Sequence, residues 1–181
     1  GSSAMGGIVQ SVLKRPQGKP YVEVTKMAGS HNTQAEIVEL GGKIKEFSYL
    51  FNVARVDSDG ISSARAKNNN PEKDAYQDTN ITTNLVYTPD EDKELGIACR
   101  LIHSRKELDD DDNYDGLPED DLDNISWNNE AISTIYFRHN LTSILAYKLQ
   151  GGYTSFYRKY ADDNLGGNDE YMRSWYRSHT Y

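Results

Sequence analysis

The chain has 181 residues, 36% of them hydrophobic, with 28 acidic against 20 basic residues and a formal charge of −8. That length is one domain by default, no run of 18 apolar residues offers a transmembrane helix, and the single cysteine, Cys99, excludes an internal disulfide. The charge is local: ten acidic residues fall between Glu107 and Asp123, so the remainder is close to neutral and no basic patch points to nucleic acid.

The chain opens Gly1-Ser2-Ser3-Ala4-Met5-Gly6-Gly7-Ile8-Val9, a small-residue run with a glycine pair. A short β-prone segment follows through Val12 and Leu13 to the cations Lys14 and Arg15. Beyond it helical periodicity is hard to find, whereas period-two alternation recurs in segments of 8 to 18 residues separated by turn signals. The first spans Tyr21 to Ala28 and closes on Gly29-Ser30-His31-Asn32; the second, Gln34 to Leu40, is expected to end on Gly41-Gly42-Lys43. The third, Glu46 to Asp57, puts Phe47, Tyr49, Phe51 and Val53 on one face, with Ser48, Asn52 and Ala54 on the other. After a long polar stretch from Ser58 to Gln77, the fourth, Asp78 to Thr88, alternates Ile81, Thr83, Leu85 and Tyr87 against Thr82, Asn84 and Val86. A turn at Pro89-Asp90-Glu91-Asp92 leads to the fifth, Glu94 to Arg105, with Leu95, Ile97, Cys99 and Leu101 opposed to Gly96, Ala98 and Arg100. The sixth runs from Trp127 to His139, the seventh from Ser143 to Tyr160, and the eighth from Asp169 to Tyr181.

Connections after segments two, four and six are short, those after three and five are about twenty residues, and the one after seven is intermediate; the loop after segment one departs from the alternation in being short. Short turns alternating with long loops are the mark of an antiparallel up-and-down transmembrane β-barrel. Tilted spanning strands need roughly 9–11 residues, which most of these segments supply. The expected fold is therefore all-β, an antiparallel up-and-down transmembrane barrel with about eight strands in this chain. The aromatics fit it: Phe47, Tyr49, Tyr87, Tyr136, Phe137 and Tyr147 lie near the short turns, and Trp127, Tyr157, Tyr160, Tyr171, Trp175 and Tyr176 near the long loops, as two interfacial girdles would. Cross-strand tyrosine pairing would produce many of the same positions. A soluble, secreted β-sandwich binding calcium or carbohydrate is the alternative, and a stand-alone eight-strand barrel a third.

With the segments in order, Ser3-Ala4-Met5-Gly6-Gly7-Ile8-Val9 through Lys14 resembles the end of the plug domain in TonB-dependent outer-membrane receptors, where Ala-x-Gly-Gly-Val-Ile and then a lysine precede the first barrel strand. Gly29-Ser30 resembles that family's first hairpin, Phe47-Ser48-Tyr49 the start of its third strand, Asp57-Ser58-Asp59-Gly60-Ile61-Ser62 that strand's exit, and Leu95-Gly96 its usual continuation. Gln10-Ser11-Val12-Leu13 departs from the commoner Asn-Ile-x-Thr pattern. The family has a full plug and about 22 strands, so the resemblance implies a fragment or one part of a split receptor: residues 1–18 as the end of the plug and its link, and 19–181 as the first barrel strands. It implies the bacterial outer membrane, lipid around the wall, and the remainder of the receptor as a partner. It further implies a scarce nutrient (a cobalamin or an iron chelate) as ligand, energy from the TonB complex through the plug, and no enzymatic activity. Arg55, Arg100 and Arg138 are expected to face the lumen.

The strongest chemical feature is the acidic loop. Asp111, Asn113, Asp115 and Gly116 match the first half of a calcium-binding EF-hand loop, but the twelfth position is Leu122 and no flanking helices are expected. Clustered carboxylates are either solvated or bridged by a hard cation, and a Ca²⁺ loop drawn from Asp109, Asp111, Asn113, Asp115, Asp120, Asp121 and Asp123 is the candidate metal site. Receptors of the resembling family that take up cobalamin carry such loops at this end of the barrel. His31, His103, His139 and His179 lack metal-ligand spacing, and neither a nucleophile setting nor a phosphate-binding glycine loop is present.

Overall fold

The structure, a computed structural model, describes residues 14–61, 73–108, 125–162 and 170–180, the side chains from 160 onward excepted. It contains eight strands: β1 (Tyr21–Ala28), β2 (Gln34–Ile44), β3 (Phe47–Ser58), β4 (Tyr76–Tyr87), β5 (Lys93–Glu107), β6 (Ile125–Asn140), β7 (Ala146–Asp162) and β8 (Glu170–Thr180). They form one open antiparallel sheet in chain order, each strand beside its sequence neighbours. The fold is all-β and up-and-down, and no helix occurs among the described residues. The connections after β2, β4 and β6 lie at one end and those after β1, β3, β5 and β7 at the other, the short β1–β2 connection being the one that departs from the alternation of loop lengths.

Register partners share a face, so the pairing decides what each face carries. On one face Val38, Val53, Ile81, Leu101 and Ala131 form a continuous row across β2 to β6. The next rows toward the short turns are Leu40, Phe51, Thr83, Cys99 and Ser133, then Tyr49, Leu85, Ile97 and Ile135, then Ile44, Phe47, Tyr87, Leu95, Phe137 and Leu149. These four rows span about 20 Å of strand. The row beyond Val38–Ala131 is polar across its whole width, with Glu36, Arg55, Thr79, His103 and Asn129. The opposite face is mixed but richer in polar groups, with Glu39, Asn52, Thr82, Arg100 and Ile132 in one row and Leu50, Asn84, Ala98, Thr134 and Gly152 in another.

The polarity is the reverse of a soluble sheet packed on its own core. The apolar rows are the exposed ones, with Val24 at 70%, Leu149 at 63% and Ile135 at 51% of full exposure. Buried side chains are as often polar (Ser48, Glu94, Ser104) as apolar (Ala35, Leu50, Val86).

Three expectations are corrected. Gly41-Gly42-Lys43 does not turn; the strand continues to Ile44 and reverses at Lys45-Glu46, where Lys45 takes a φ of 53°. The glycines are there for close approach, since a Cβ on Gly41 would lie 2.6 Å from the Tyr21 hydroxyl and one on Gly42 2.7 Å from the Pro20 Cα. Arg55 stands on the apolar-band face in the row of Glu36, bonded to Asp57 at 2.7 and 2.8 Å, because it shares parity with Phe47 to Val53. Tyr136 lies on the polar face, one residue out of step with Phe137, and so does not belong to the short-turn aromatic group.

Candidate functional site: two tyrosine–glutamate–glycine modules on the polar face

Residues 14–18 lie against the polar face between β2 and β5. The Lys14 carbonyl accepts a hydrogen bond from Asn84 Nδ2 at 3.1 Å, and the Gly18 carbonyl accepts one from the Lys43 backbone N–H at 2.8 Å. Pro16 is buried there. Two consecutive cations, Lys14 and Arg15, make the charged contacts, and they do so with two copies of one local arrangement.

The first copy is built from Glu39-Leu40-Gly41 on β2 and Tyr21 on β1. Tyr21 is the direct cross-strand partner of Gly41, and its ring lies over the bare glycine backbone, which carries its hydroxyl to Glu39 Oε1 at 2.6 Å. Lys14 Nζ donates to the same carboxylate at 2.6 Å and sits 5.2 Å from the Tyr21 ring centroid. Bonding to Glu39, and then to Tyr21, holds the Lys14 ammonium above its ordinary range.

The second copy is built from Glu94-Leu95-Gly96 on β5 and Tyr136 on β6. Tyr136 is again the direct partner of the glycine, covers it, and donates to Glu94 Oε1 at 2.7 Å. Arg15 Nη1 donates to Glu94 Oε2 at 2.6 Å, and Arg15 Nη2 to Thr88 Oγ1 at 2.9 Å. Arg138, opposite Glu94 in register, adds a contact at 3.4 Å, and Lys148 Nζ lies 4.9 Å from the Tyr136 ring centroid. The Glu94 side chain is only 8% exposed and the Glu39 side chain 18%. The Arg15–Glu94 pair is therefore the stronger point of attachment, and Lys14–Glu39 the weaker, because burial reduces the screening of the charges.

In each module a glycine without Cβ lets the aromatic ring fold flat onto the neighbouring strand, and the phenol then orients the glutamate two residues earlier. Gly96→Ala tests this geometry. Its Cβ would overlap Tyr136 Cε1, forcing the ring away and breaking its bond to Glu94. The expected cost is about 1–2 kcal/mol by denaturant midpoint, and pairing Gly96→Ala with Tyr136→Ser should recover part of it. Equal stability of Gly96→Ala and wild type would refute the arrangement.

Alternation alone gives no role to Glu39, Glu94 or Tyr21, and position along the strand groups Tyr136 with the short-turn aromatics. The signal available was the repeated Glu-Leu-Gly tripeptide. Among the expected lumen arginines, Arg100 and Arg138 do lie on the polar face, Arg100 bonded to Asn80 Oδ1 at 3.0 and 3.3 Å. Trp127 and Tyr157 stand near the long-loop end on the apolar-band face, with Lys159 Nζ 4.8 Å from the Trp127 ring centroid. Tyr160, Tyr171, Trp175 and Tyr176 lie where only the backbone is described. The candidate calcium ligands Asp109, Asp111, Asn113, Asp115, Asp120, Asp121 and Asp123, and the Gly6-Gly7 stretch, fall outside the described residues. Among the described residues no three of His, Cys, Asp and Glu are grouped to hold a metal.

Comparison of the chain with protein-family models, with curated proteins and with solved structures found no match.

Proposed function

We propose that the chain forms part of the wall of an outer-membrane β-barrel of the TonB-dependent receptor type, with residues 14–18 as the link by which an interior domain enters the barrel. One observation carries this reading: the exposed face is apolar in four level rows, while the face that grips the incoming segment is polar and charged. In lipid, a sheet must present apolar side chains outward and satisfy its polar groups inward. A soluble sandwich would instead cover the apolar rows with a second sheet, and the eight described strands all belong to one sheet.

From the row of Asn129 to that of His139, β6 supplies 11 residues, close to the 9–11 that a tilted spanning strand needs. The rim at the short turns is aromatic. Phe47 and Tyr87 stack at 4.5 Å, and Phe137, His139 and Tyr147 cluster with centroids 5.6 to 6.1 Å apart, as an interfacial belt requires. An open sheet has two edges that lipid does not tolerate, so further strands, from this polypeptide or a second one, complete the barrel. The ligand is then a scarce nutrient such as a cobalamin or an iron chelate, moved at the expense of energy from the inner membrane, and the chain catalyses no reaction. The long loops form part of the ligand mouth, and the acidic loop binds Ca²⁺ there. Calorimetric titration of the native particle should give saturable Ca²⁺ binding that is lost in Asp111→Asn/Asp115→Asn, and no heat above dilution would remove the calcium assignment.

The test of the whole reading is the mass of the native particle in mild detergent by light scattering. It should require detergent and exceed the 20.5 kDa of this chain. A monomer of that mass stable in plain buffer would overturn it.

A further inference from the structure

The three connections at the short-turn end, those after β2, β4 and β6, differ in chemistry. The turn after β2 is Lys45-Glu46, and that after β4 contains Asp90, Glu91 and Asp92, with Lys93 bonded to Asp90 at 3.0 Å. The connection after β6, Leu141-Thr142-Ser143-Ile144-Leu145, has no charge and no titratable side chain. Its large side chains point away from the protein: Ile144 is 95% exposed, Leu145 55% and Leu141 52%.

Its backbone is also closed on itself. The N–H groups of Leu141 and Thr142 both donate to the Leu145 carbonyl, at 2.8 and 3.1 Å. The Thr142 hydroxyl oxygen accepts from the N–H groups of Leu145 and Ile144, at 3.1 and 3.4 Å. Four of the N–H groups that a five-residue turn would ordinarily hand to water are thus satisfied within it, which lowers the cost of leaving water. The apolar tip continues into the band through Leu149, 63% exposed, and the rim aromatics Phe137 and Tyr147.

We propose that the β6–β7 turn is a membrane anchor: its Leu141–Ile144–Leu145 tip folds back into the lipid of the leaflet at the short-turn end. The proposal rests on the membrane reading above and adds to it that one turn, unlike its two charged neighbours, lies in the bilayer rather than in water. Lipid is the occupant because the tip is continuous with the apolar band and carries none of the charged groups that rim a protein contact.

The experiment uses the native particle in vesicles whose lipids are brominated just below the headgroup. An environment-sensitive fluorophore is placed on Cys in Ile144→Cys/Cys99→Ser, and in a second sample on the native Cys99, which lies within the apolar band. Ile144 is exposed and free of bonds through its side chain, so the substitution leaves the fold intact. The expected result is that bromolipid reduces emission by about half at both positions, and that Thr142→Ala, which exposes two N–H groups, weakens quenching at position 144 only. Quenching at Cys99 with none at 144 would overturn the anchor and leave the barrel reading standing. A blue-shifted but unquenched label at 144 would show a protein cover there and also overturn it. No quenching at either position would overturn the barrel reading and the anchor together.

Discussion

Ile135→Arg should destabilise the assembled protein by about 2–4 kcal/mol, whereas Thr134→Arg, one residue earlier on the same strand, should cost less than about 1 kcal/mol. Ile135 lies in the apolar band between Ile97 and Gly151, in the inner part of the stretch from Asn129 to His139. In the proposed barrel a guanidinium there would have to enter hydrocarbon or drag water with it. Thr134 points to the opposite face, where its register partners Ala98 and Gly152 are small and leave room for a long side chain reaching water. The cost should also fall toward the interface: Ala131→Arg, next to the polar row of Asn129, should lose about 0–1 kcal/mol. Urea midpoints of the native particle in vesicles provide the measurement. A cost at Ala131 as large as at Ile135 would indicate burial under protein, and no cost at Ile135 would indicate a face in water.

Loss of Glu94 is expected to release residues 14–18 from the sheet. Its carboxylate holds Arg15, Tyr136 and Arg138, and its side chain is 8% exposed. Removing one partner of a buried ion pair typically costs 3–5 kcal/mol because the other charge is left uncompensated. The Arg15 side chain is 30% exposed, so the lower end applies and Glu94→Ala should lose about 3 kcal/mol. Arg15→Ala should lose less, about 1–2 kcal/mol, since Tyr136 and Arg138 still satisfy the glutamate. Lys14→Ala, whose ammonium is exposed, should change stability little. Trypsin supplies a local readout at the Lys14–Arg15 bond: it should resist cleavage in the wild type and in Lys14-preserving controls such as Thr134→Ser, and be cut rapidly in Glu94→Ala. Unchanged cleavage would mean that the segment is held by something other than the Glu94 module.

Much of the sheet is legible in the chain because period-two alternation is a local property. The faces assigned to Phe47–Val53, Ile81–Tyr87 and Leu95–Leu101 are those observed, and every strand starts and ends within a few residues of its expected limits. Arg55 was legible too; carrying the same alternation two residues past Val53 assigns it to the apolar-band face. The same holds for Tyr136 beside Phe137, since adjacent residues cannot share a face. What alternation cannot supply is register. Glycine in a strand reads as a turn or as a site of close approach, and only the partner across the strand decides between them. Gly41 beneath Tyr21 and Gly96 beneath Tyr136 are close approaches. The pairing of Lys14 with Glu39 and Arg15 with Glu94 joins residues 25 and 79 positions apart, a separation that no local pattern encodes.

The central claim is that the apolar face meets lipid and the opposite face meets water, and adjacent residues on β5 test it most directly. A nitroxide on the native Cys99, and one on Ala98→Cys in a Cys99→Ser background, are compared in the vesicle-embedded particle for collision with oxygen and with a water-soluble nickel chelate. The label at Cys99 should be open to oxygen and shielded from nickel, and the label at 98 the reverse. A label at Cys99 reached by nickel as readily as one at 98, or shielded from both reagents, would contradict the account.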